Sequence, residues 1–185
     1  MARAPRLPPE LGGYVLAGGR SSRMGTDKAL LLLAGKPLIA HAVVKLGRLC
    51  QDVRVLSANS ALAPYAPLVP DLHPDCGPIG GIEVALTHSI YDWNLIYPVD
   101  LPFLPTLFLE GWARTVVSRR MHLRVALFRV FAVPQPALLM VHRTVRPYLT
   151  AAIARGEYKL LPALEAASRA LAPPAALPSE QIPYI

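Results

Sequence analysis

The chain has 185 residues and a formal net charge of +7, and 53% of its residues are hydrophobic while 17% are charged. This composition excludes an intrinsically disordered chain and suits a single domain with a substantial core. The longest apolar stretches, such as 29–33, are too short to span a bilayer. Since no apolar run of signal-peptide length follows the N-terminus, we expect a cytoplasmic protein that does not associate with membranes.

Prolines concentrate at both ends of the chain, at positions 5, 8 and 9 and again at 173, 174, 178 and 183. They predict tails around a core of about residues 12–172, within one domain spanning 1–185. The two cysteines, Cys50 and Cys76, lie far apart and form no metal-like pair. They are therefore expected to be buried or half-buried thiols.

Between the tails, short apolar runs alternate with helical patterns. Strands are predicted at 13–17, 52–57, 93–99, 123–133 and 137–141, and helices at 37–49, 80–90, 106–118, 144–155 and 160–171. This alternation predicts an α/β fold of three layers, with a mostly parallel, Rossmann-like sheet between two layers of helices. In such sheets ligands bind beyond the carboxyl ends of the strands, so the functional site is expected in the loops that begin there.

The first predicted strand runs into a glycine-rich loop, Leu-Ala-Gly-Gly-Arg-Ser-Ser-Arg-Met-Gly-Thr-Asp-Lys, at 16–28. Gly18 and Gly19 would let backbone N–H groups approach phosphate oxygens, and Arg23 and Lys28 would supply positive charge. A Walker A loop is excluded because no glycine directly precedes the lysine, and the dinucleotide fingerprint G-x-G-x-x-G is absent. The loop predicts a phosphate site, and an ordinary strand-to-helix turn is the alternative.

The strand predicted at 93–99 ends in Asp100, which is followed by Leu-Pro-Phe-Leu-Pro. A carboxylate leaving a buried strand, with prolines fixing the next loop, is well placed to hold Mg²⁺. That ion takes one or two carboxylates and completes its shell with water and phosphate oxygens. From spacing alone, an aspartate that caps the following helix or makes loop hydrogen bonds is an equal alternative.

These segments resemble the molybdenum cofactor guanylyltransferase (MobA-like) family of nucleotidyltransferases. Leu-Ala-Gly-Gly, Arg-Met-Gly and Lys28 are similar to the family's signature loop, and Gly-Lys-Pro-Leu at 35–38 and Asp-x-Pro-Phe-Leu from Asp100 also match. The resemblance covers about 13–165 and implies the fold of nucleotide-diphospho-sugar transferases. It implies transfer of GMP from GTP to the phosphate of molybdopterin bearing molybdenum, with release of pyrophosphate and Mg²⁺ as the metal. Proteins that deliver the acceptor or receive the product are implied as possible partners.

The resemblance also assigns roles to individual residues. It implies that Lys28, Arg23 and Asp100 are catalytic and that Asp100 binds the metal. The residues implied in nucleotide binding are Leu16, Ala17, Gly18, Gly19, Lys28, Asn59, Asp71 and Asp100. Asn59 carries an amide suited to a purine edge, with a turn asparagine as the alternative. For Asp71 the alternative is a solvated loop aspartate. Gly-Pro-Ile-Gly-Gly at 77–81 is similar to a family loop that precedes a helix.

The chain departs from the family pattern in two places. Family members carry Asn-x-Asn-Thr-Pro near the C-terminus, with the first Asn expected at the metal site, whereas this chain ends in Pro-Ser-Glu-Gln-Ile-Pro-Tyr-Ile at 178–185. The stretch at 118–132 matches weakly. It overlaps the arginine-rich 114–129 and lies within a longer segment, 111–156, with eight arginines and no acidic residue. Such a field attracts polyanions, and a solvated basic surface is the alternative.

Three functions remain open from the sequence. The first is guanylyl transfer by direct in-line attack, which needs no protein nucleophile. The second is the same chemistry with CTP or a sugar-phosphate acceptor. The third is a nucleotide-binding protein without catalysis that docks a partner through its basic half, with nucleic acid the less favoured partner.

Overall fold

The computed structural model of the chain describes residues 11–17, 27–73, 75–118, 123–131 and 133–172. The predicted proline-rich tails, and Gly18, Gly19 and Arg23 of the predicted phosphate loop, lie outside the described residues. Among the helices within those ranges, none combines the length and apolar character that crossing a membrane requires.

A six-stranded sheet forms the centre of the described structure. Its strands are β1 (Leu11–Leu16), β4 (Asp52–Leu56), β5 (Leu68–Val69), β6 (Trp93–Pro98), β7 (Val125–Val130) and β8 (Val133–His142). They lie in the order β5-β4-β1-β6-β8-β7, and a separate antiparallel hairpin joins β2 (Leu32–Leu33) to β3 (Lys36–Pro37). The first four strands of the sheet are parallel, whereas β8 runs antiparallel to both β6 and β7.

Helices cover both faces of this sheet. Their bounds are α1 (Leu38–Leu46), α2 (Pro78–His88), α3 (Thr106–Ser118), α4 (Arg146–Ala154) and α5 (Leu160–Leu171). Helices α1 and α3 share one apolar cluster with the sheet, and α2, α4 and α5 share a second cluster with its opposite face. The predicted three-layer α/β fold with a mostly parallel sheet is confirmed.

The central strand β6 shows why the sequence folds in this way. All six of its residues are buried. Trp93, Leu95 and Tyr97 contribute to the cluster with α1 and α3, while Ile96 contributes to the cluster on the other face. A strand covered on both faces needs apolar side chains at odd and even positions alike, which explains its nearly continuous apolar run.

The sequence prediction was wrong at the last two strands. The run predicted as one strand at 123–133 ends at Val130, and the chain turns at Phe131, whose φ is +47°. β8 begins at Val133, earlier than the predicted 137, and includes Pro134 and Pro136. The ladder skips from Leu127–Leu139 to Phe128–Gln135, so Pro136 lies in a bulge where no ladder hydrogen bond is required of it.

The helix boundaries also differ from prediction. The helix predicted at 80–90 begins at Pro78 and ends at His88. Proline suits the first turn because the first N–H groups of a helix have no partner within it. The segment 77–81, predicted as a loop before this helix, therefore forms its start, with Gly77 at φ +67° preceding it. The thiols of Cys50 and Cys76 are free and buried, as predicted.

The order of the strands reverses at β1 and β6, and we name the region beyond the carboxyl ends of these two strands the crevice. The chain leaves β1 for β4 and β5 on one side, then returns past β1 to form β6 on the other side. The connections from the carboxyl ends of these two neighbours therefore diverge. A divergence of this kind is where open α/β sheets bind ligands.

Gly12 in β1 is packed against a buried polar group. Asn94 is fully buried and accepts a 2.5 Å hydrogen bond from the Ser89 hydroxyl. A Cβ on Gly12 would lie 2.7 Å from Asn94 Oδ1 and 3.0 Å from the Tyr91 ring. We expect Gly12→Ala to reduce the free energy of unfolding by about 1–3 kcal/mol, measured by urea denaturation.

Gly111→Ala is the matched control, because Gly111 lies within α3 and a Cβ there would meet nothing within 4 Å. That substitution should stabilise the protein by up to about 1 kcal/mol, since alanine favours a helix interior. Equal effects of the two substitutions would contradict the packing described for Gly12.

Candidate active site

The candidate site lies at the carboxyl ends of β1 and β6. Leu16 pairs with Pro98 in the ladder, and the Leu16 carbonyl accepts a 3.2 Å hydrogen bond from the Val99 N–H. The loops that follow these strands therefore start side by side. Both loops carry residues that the sequence singled out.

Lys28 and Asp100 meet in this crevice. Lys28 Nζ lies 2.7 Å from Asp100 Oδ2, although the two residues are 72 positions apart in the chain. The side chains are 47% and 44% exposed. An ion pair this exposed adds at most about 1 kcal/mol to stability. Its importance is therefore chemical, because it presents a cation and a carboxylate together to solvent.

Asp27 fixes the turn that carries Lys28. Its Oδ1 accepts a 2.9 Å hydrogen bond from the Ala29 N–H and so caps the 3₁₀ turn Lys28–Leu30. Its Oδ2 accepts a 2.6 Å bond from Asn59 Nδ2. Asp27 thus joins the loop after β1 to the loop after β4. Sequence reasoning missed this role, for which the signal was an aspartate placed directly before a short turn.

Asn59 uses its side chain for contacts within the protein. Besides the bond to Asp27, its Oδ1 accepts a 3.0 Å hydrogen bond from the Ala61 N–H and caps the 3₁₀ turn Ser60–Leu62. Its own N–H donates to Ser57 Oγ at 3.1 Å. Asn59 therefore acts as a turn asparagine, the alternative weighed from the sequence. Its contact with a nucleotide base stays a prediction.

Asp71 lies in the exposed turn after β5, at the same edge of the sheet. Its Oδ1 accepts a 2.8 Å hydrogen bond from the His73 N–H. A Cβ on Gly80 would lie 3.1 Å from that same oxygen and 3.0 Å from the His73 Cβ. Glycine at this position therefore lets α2 approach the turn closely. A role of Asp71 in nucleotide binding stays a prediction.

A buried carboxylate supports this turn from behind. Glu83 in α2 is 7% exposed, and its Oε2 lies 3.2 Å from His73 Nε2. Its Oε1 accepts hydrogen bonds from the hydroxyls of Thr150 at 2.8 Å and Thr87 at 3.3 Å. Since Thr150 belongs to α4, these bonds join the turn to two helices of one layer.

Lys45 is a buried cation next to the site. It lies in the last turn of α1 and is only 8% exposed. Its ammonium lies 3.0 Å from the Tyr97 hydroxyl and within hydrogen-bond distance of three backbone carbonyls in the loop that follows Asp100. Sequence reasoning missed it, although Lys45 follows Ala42 by three positions and so lies on the predicted apolar face of the helix.

Burial affects the protonation of Lys45 and of Tyr97, whose hydroxyl it contacts. Desolvation lowers the pKa of Lys45 from its ordinary value, while the surrounding oxygens favour the ammonium form. Burial also raises the pKa of Tyr97, and the negative charge of Asp100 raises it further. Tyr97 therefore stays protonated, and its hydroxyl donates a hydrogen bond to the Leu101 carbonyl.

The described residues suit a metal ion that binds together with a ligand. They suit less well a metal ion held by protein side chains alone. In the described parts of the chain, no group of three or more His, Cys, Asp or Glu side chains could hold a metal ion. Asp100 offers a partly exposed carboxylate. One carboxylate is sufficient for Mg²⁺ where water and phosphate oxygens complete its shell.

Two arginines of 111–156 pair with carboxylates in the described structure. Arg143 Nε pairs with Asp92 Oδ1 at 2.8 Å, beside the amino end of β6 and thus at the edge opposite the site. Arg155 pairs with Glu157 at 2.7 Å. Both acidic partners lie outside 111–156, so neighbouring segments compensate part of the charge counted in it.

The fold and the site place the protein among α/β proteins that bind a charged ligand beyond the carboxyl ends of a parallel sheet. Lys28, Asp100, Asn59 and Asp71 all lie in loops at that edge, and Leu16 and Ala17 lead into it. The MobA-like NTP transferase domain model matches residues 13–170. The chain belongs to this family of nucleotidyltransferases, which confirms the resemblance seen in the sequence.

Relatives with similar sequences agree with this assignment. The molybdenum cofactor guanylyltransferase of Vibrio atlanticus is 37% identical over 161 residues, which cover 84% of this chain and 80% of that protein. The protein of the same name from Serratia proteamaculans is 35% identical over 165 residues, covering 85% and 81%.

Solved structures show the same fold. Molybdopterin-guanine dinucleotide biosynthesis protein A from Archaeoglobus fulgidus matches with a TM-score of 0.68 and 25% identity, over 84% of this chain and 79% of that one. A nucleotidyl transferase from Methanothermobacter thermautotroptrophicus matches with a TM-score of 0.62 and 16% identity, over 88% and 84%. At that identity the second match speaks for the fold alone.

The contact between Asp27 and Asn59 can be tested by exchanging its partners. Asn59→Asp would place a second carboxylate at the 2.6 Å contact and should cost about 1–3 kcal/mol of unfolding free energy in urea denaturation. The double variant Asp27→Asn/Asn59→Asp restores one donor and one acceptor. It should recover most of that loss.

Additive effects of the two single substitutions in the double variant would show that the side chains do not interact. Asp52→Asn is a control for the loss of a carboxylate, because Asp52 pairs with Arg54 at the amino end of β4. It should not interact with Asn59→Asp.

Proposed function

We propose that the protein transfers GMP from GTP to the phosphate of molybdopterin bearing molybdenum and releases pyrophosphate, with Mg²⁺ as the metal. Membership of the MobA-like family and the names of the similar relatives support this activity. The observation that carries the proposal is the pairing of Lys28 and Asp100 in the crevice between β1 and β6. A metal-bound triphosphate needs a cation beside its phosphates and a carboxylate for its metal ion. Lys28 and Asp100 would provide these two groups side by side.

In this reaction an oxygen of the acceptor phosphate attacks the α-phosphorus of GTP. A new phosphorus–oxygen bond forms as the bond from the α-phosphorus to the bridging oxygen breaks, and that oxygen leaves with pyrophosphate. Negative charge builds up on the leaving group. A fixed cation next to the phosphates stabilises that charge more in the transition state than in the bound substrate.

Lys28 is the described residue that would supply this cation. Its ammonium would exchange the Asp100 oxygen for a phosphate oxygen when the nucleotide binds. Asp100 would then be available to hold Mg²⁺, whose chemistry is to neutralise charge on the phosphate oxygens. Arg23 and the backbone of Gly18 and Gly19 would add further phosphate contacts.

The neighbouring loops would define the rest of the nucleotide site. Asn59 and Asp71 follow β4 and β5, farther along the sheet edge from the crevice. We propose that these loops face the base and the ribose of GTP. Asn59 Nδ2 carries a second N–H besides the one given to Asp27, and the Asp71 carboxylate is exposed.

Nucleotide choice can be measured by thermal-shift titration with GTP, CTP, ATP and UTP, each with Mg²⁺. Ligand binding to the folded state raises the melting temperature, and at one ligand concentration the tighter ligand gives the larger rise. We expect GTP to give the largest shift. A larger shift with CTP would favour cytidylyl transfer, and equal shifts with all four would contradict guanylyl specificity.

Lys28→Ala and Asp100→Ala should separate the two roles in the crevice. Each should reduce pyrophosphate release with GTP and molybdenum-loaded molybdopterin by about 100-fold or more. Lys28→Ala should weaken GTP binding with or without Mg²⁺, because it removes positive charge. Asp100→Ala should abolish only the part of GTP binding that depends on Mg²⁺.

The pair Arg143–Asp92 provides matched controls, since it has a similar distance and exposure at the opposite edge of the sheet. Arg143→Ala and Asp92→Ala should leave both measurements unchanged. Nucleotide binding without any pyrophosphate release by the unaltered protein would instead support a non-catalytic binding role.

A further inference from the structure

We propose that Lys45 is a positioning residue that fixes the loop at 101–104, and through it the Asp100 carboxylate, in the place where a metal-bound triphosphate is held. Lys45 reaches this loop from α1 and does not belong to the predicted phosphate loop. The metal-related part of this inference rests on the proposed function. The anchoring of the loop does not.

The contacts of Lys45 converge on the backbone of one short segment. Its Nζ lies 2.9 Å from the Pro102 carbonyl, 2.5 Å from the Leu104 carbonyl and 3.3 Å from the Leu101 carbonyl. The Tyr97 hydroxyl, 3.0 Å from the same nitrogen, donates to the Leu101 carbonyl. One buried ammonium thus lies within hydrogen-bond distance of three carbonyl groups of one loop, of which the Leu101 carbonyl also accepts from the Leu104 N–H.

The loop has few other means of staying in place. Phe103 is 82% exposed and Leu101 is 36% exposed, so neither side chain is anchored in the core. Leu104 is the residue of this segment that packs against the cluster shared by α1 and α3. The loop is therefore held by hydrogen bonds to its backbone. Lys45 donates to the Pro102 and Leu104 carbonyls, and a turn bond within the loop joins the Leu104 N–H to the Leu101 carbonyl.

The effect reaches Asp100 through a single peptide bond. Leu101 follows Asp100 directly, and its carbonyl is held by both Lys45 and Tyr97. On its other side, Asp100 follows Val99, whose N–H is bonded to the Leu16 carbonyl of β1. The backbone around Asp100 is thus fixed at both ends, once by the sheet and once by Lys45.

Lys45→Met tests this arrangement, because methionine fills a similar volume but has no N–H donor. It would leave the carbonyls of 101, 102 and 104 without their shared partner. Leu46→Ala is the matched control, since Leu46 is the adjacent, fully buried residue of α1. That substitution leaves a cavity in the core and removes no hydrogen bond to the loop.

The first measurement is amide hydrogen exchange in the protein without nucleotide. We expect Lys45→Met to speed exchange of the Leu104 amide, which donates to the Leu101 carbonyl at 3.2 Å, by at least about 10-fold relative to the rest of the chain. Leu46→Ala should give no such local increase. Tyr97→Phe, which removes one donor to Leu101, should give a smaller increase at the same amide.

The second measurement is the Mg²⁺ concentration that gives half of the maximal thermal shift with GTP. In Lys45→Met it should rise by about 10-fold or more, while the affinity for GTP without Mg²⁺ stays within about 2-fold. Leu46→Ala should lower the melting temperature and leave the Mg²⁺ midpoint unchanged. This contrast separates positioning from a general loss of stability.

Unchanged exchange of the Leu104 amide in Lys45→Met would overturn the anchoring, and an unchanged Mg²⁺ midpoint would overturn its effect on Asp100. Should Lys45→Met fail to fold, Tyr97→Phe decides both points by the same measurements. No response of the unaltered protein to GTP with Mg²⁺ would refute the proposed function and the metal-related part of this inference. The exchange data would still decide whether Lys45 holds the loop.

Discussion

The ladder between β1 and β6 is the contact on which the rest of the site depends. These strands are neighbours in the sheet but are separated in the chain by four other strands and two α-helices. Their parallel pairing brings Leu16 opposite Pro98 and starts the next two loops side by side. Lys28 and Asp100 meet only because of this register. A shift of one residue would move every side chain of a strand to the other face of the sheet.

The same pairing explains how a protein with a largely apolar core can present opposite charges in one crevice. The inner strands are buried on both faces, so the charged residues of the site lie beyond the ends of the strands. Lys45 is a buried cation that enters the core layer from α1 and is surrounded by oxygens. Its desolvation is offset only while those oxygens stay in place, which ties the order of the loop to the stability of the protein.

Much of the fold could be predicted from sequence because periodicity reports burial directly. The continuous apolar run of β6 and the helical pattern of α3 each gave the right element. The error at β8 arose at a bulge in which Pro136 needs no ladder hydrogen bond. A bulge depends on a partner strand that sequence spacing does not reveal. Likewise, Lys28 and Asp100 were found because each follows a buried strand.

What the sequence did not reveal were the contacts between distant parts of the chain. The bonds from Asp27 to Asn59 and from Lys45 to the loop after Asp100 span 32 residues or more. Local patterns contain no information about such partners. A charged residue on an apolar helix face indicates only that some partner exists. The contact of Asn59 and Asp71 with a nucleotide depends on a ligand and stays a prediction.

Glu83 and Lys45 support two loops of this sheet edge from opposite layers of helices. Lys45 holds the loop after Asp100 from the layer of α1, whereas Glu83, which contacts His73 and Thr150, supports the turn bearing Asp71 from the layer of α2 and α4. Because the sheet separates these layers, a substitution that loosens one loop need not disturb the other. Substitutions on opposite faces of the sheet can therefore alter different parts of the candidate site.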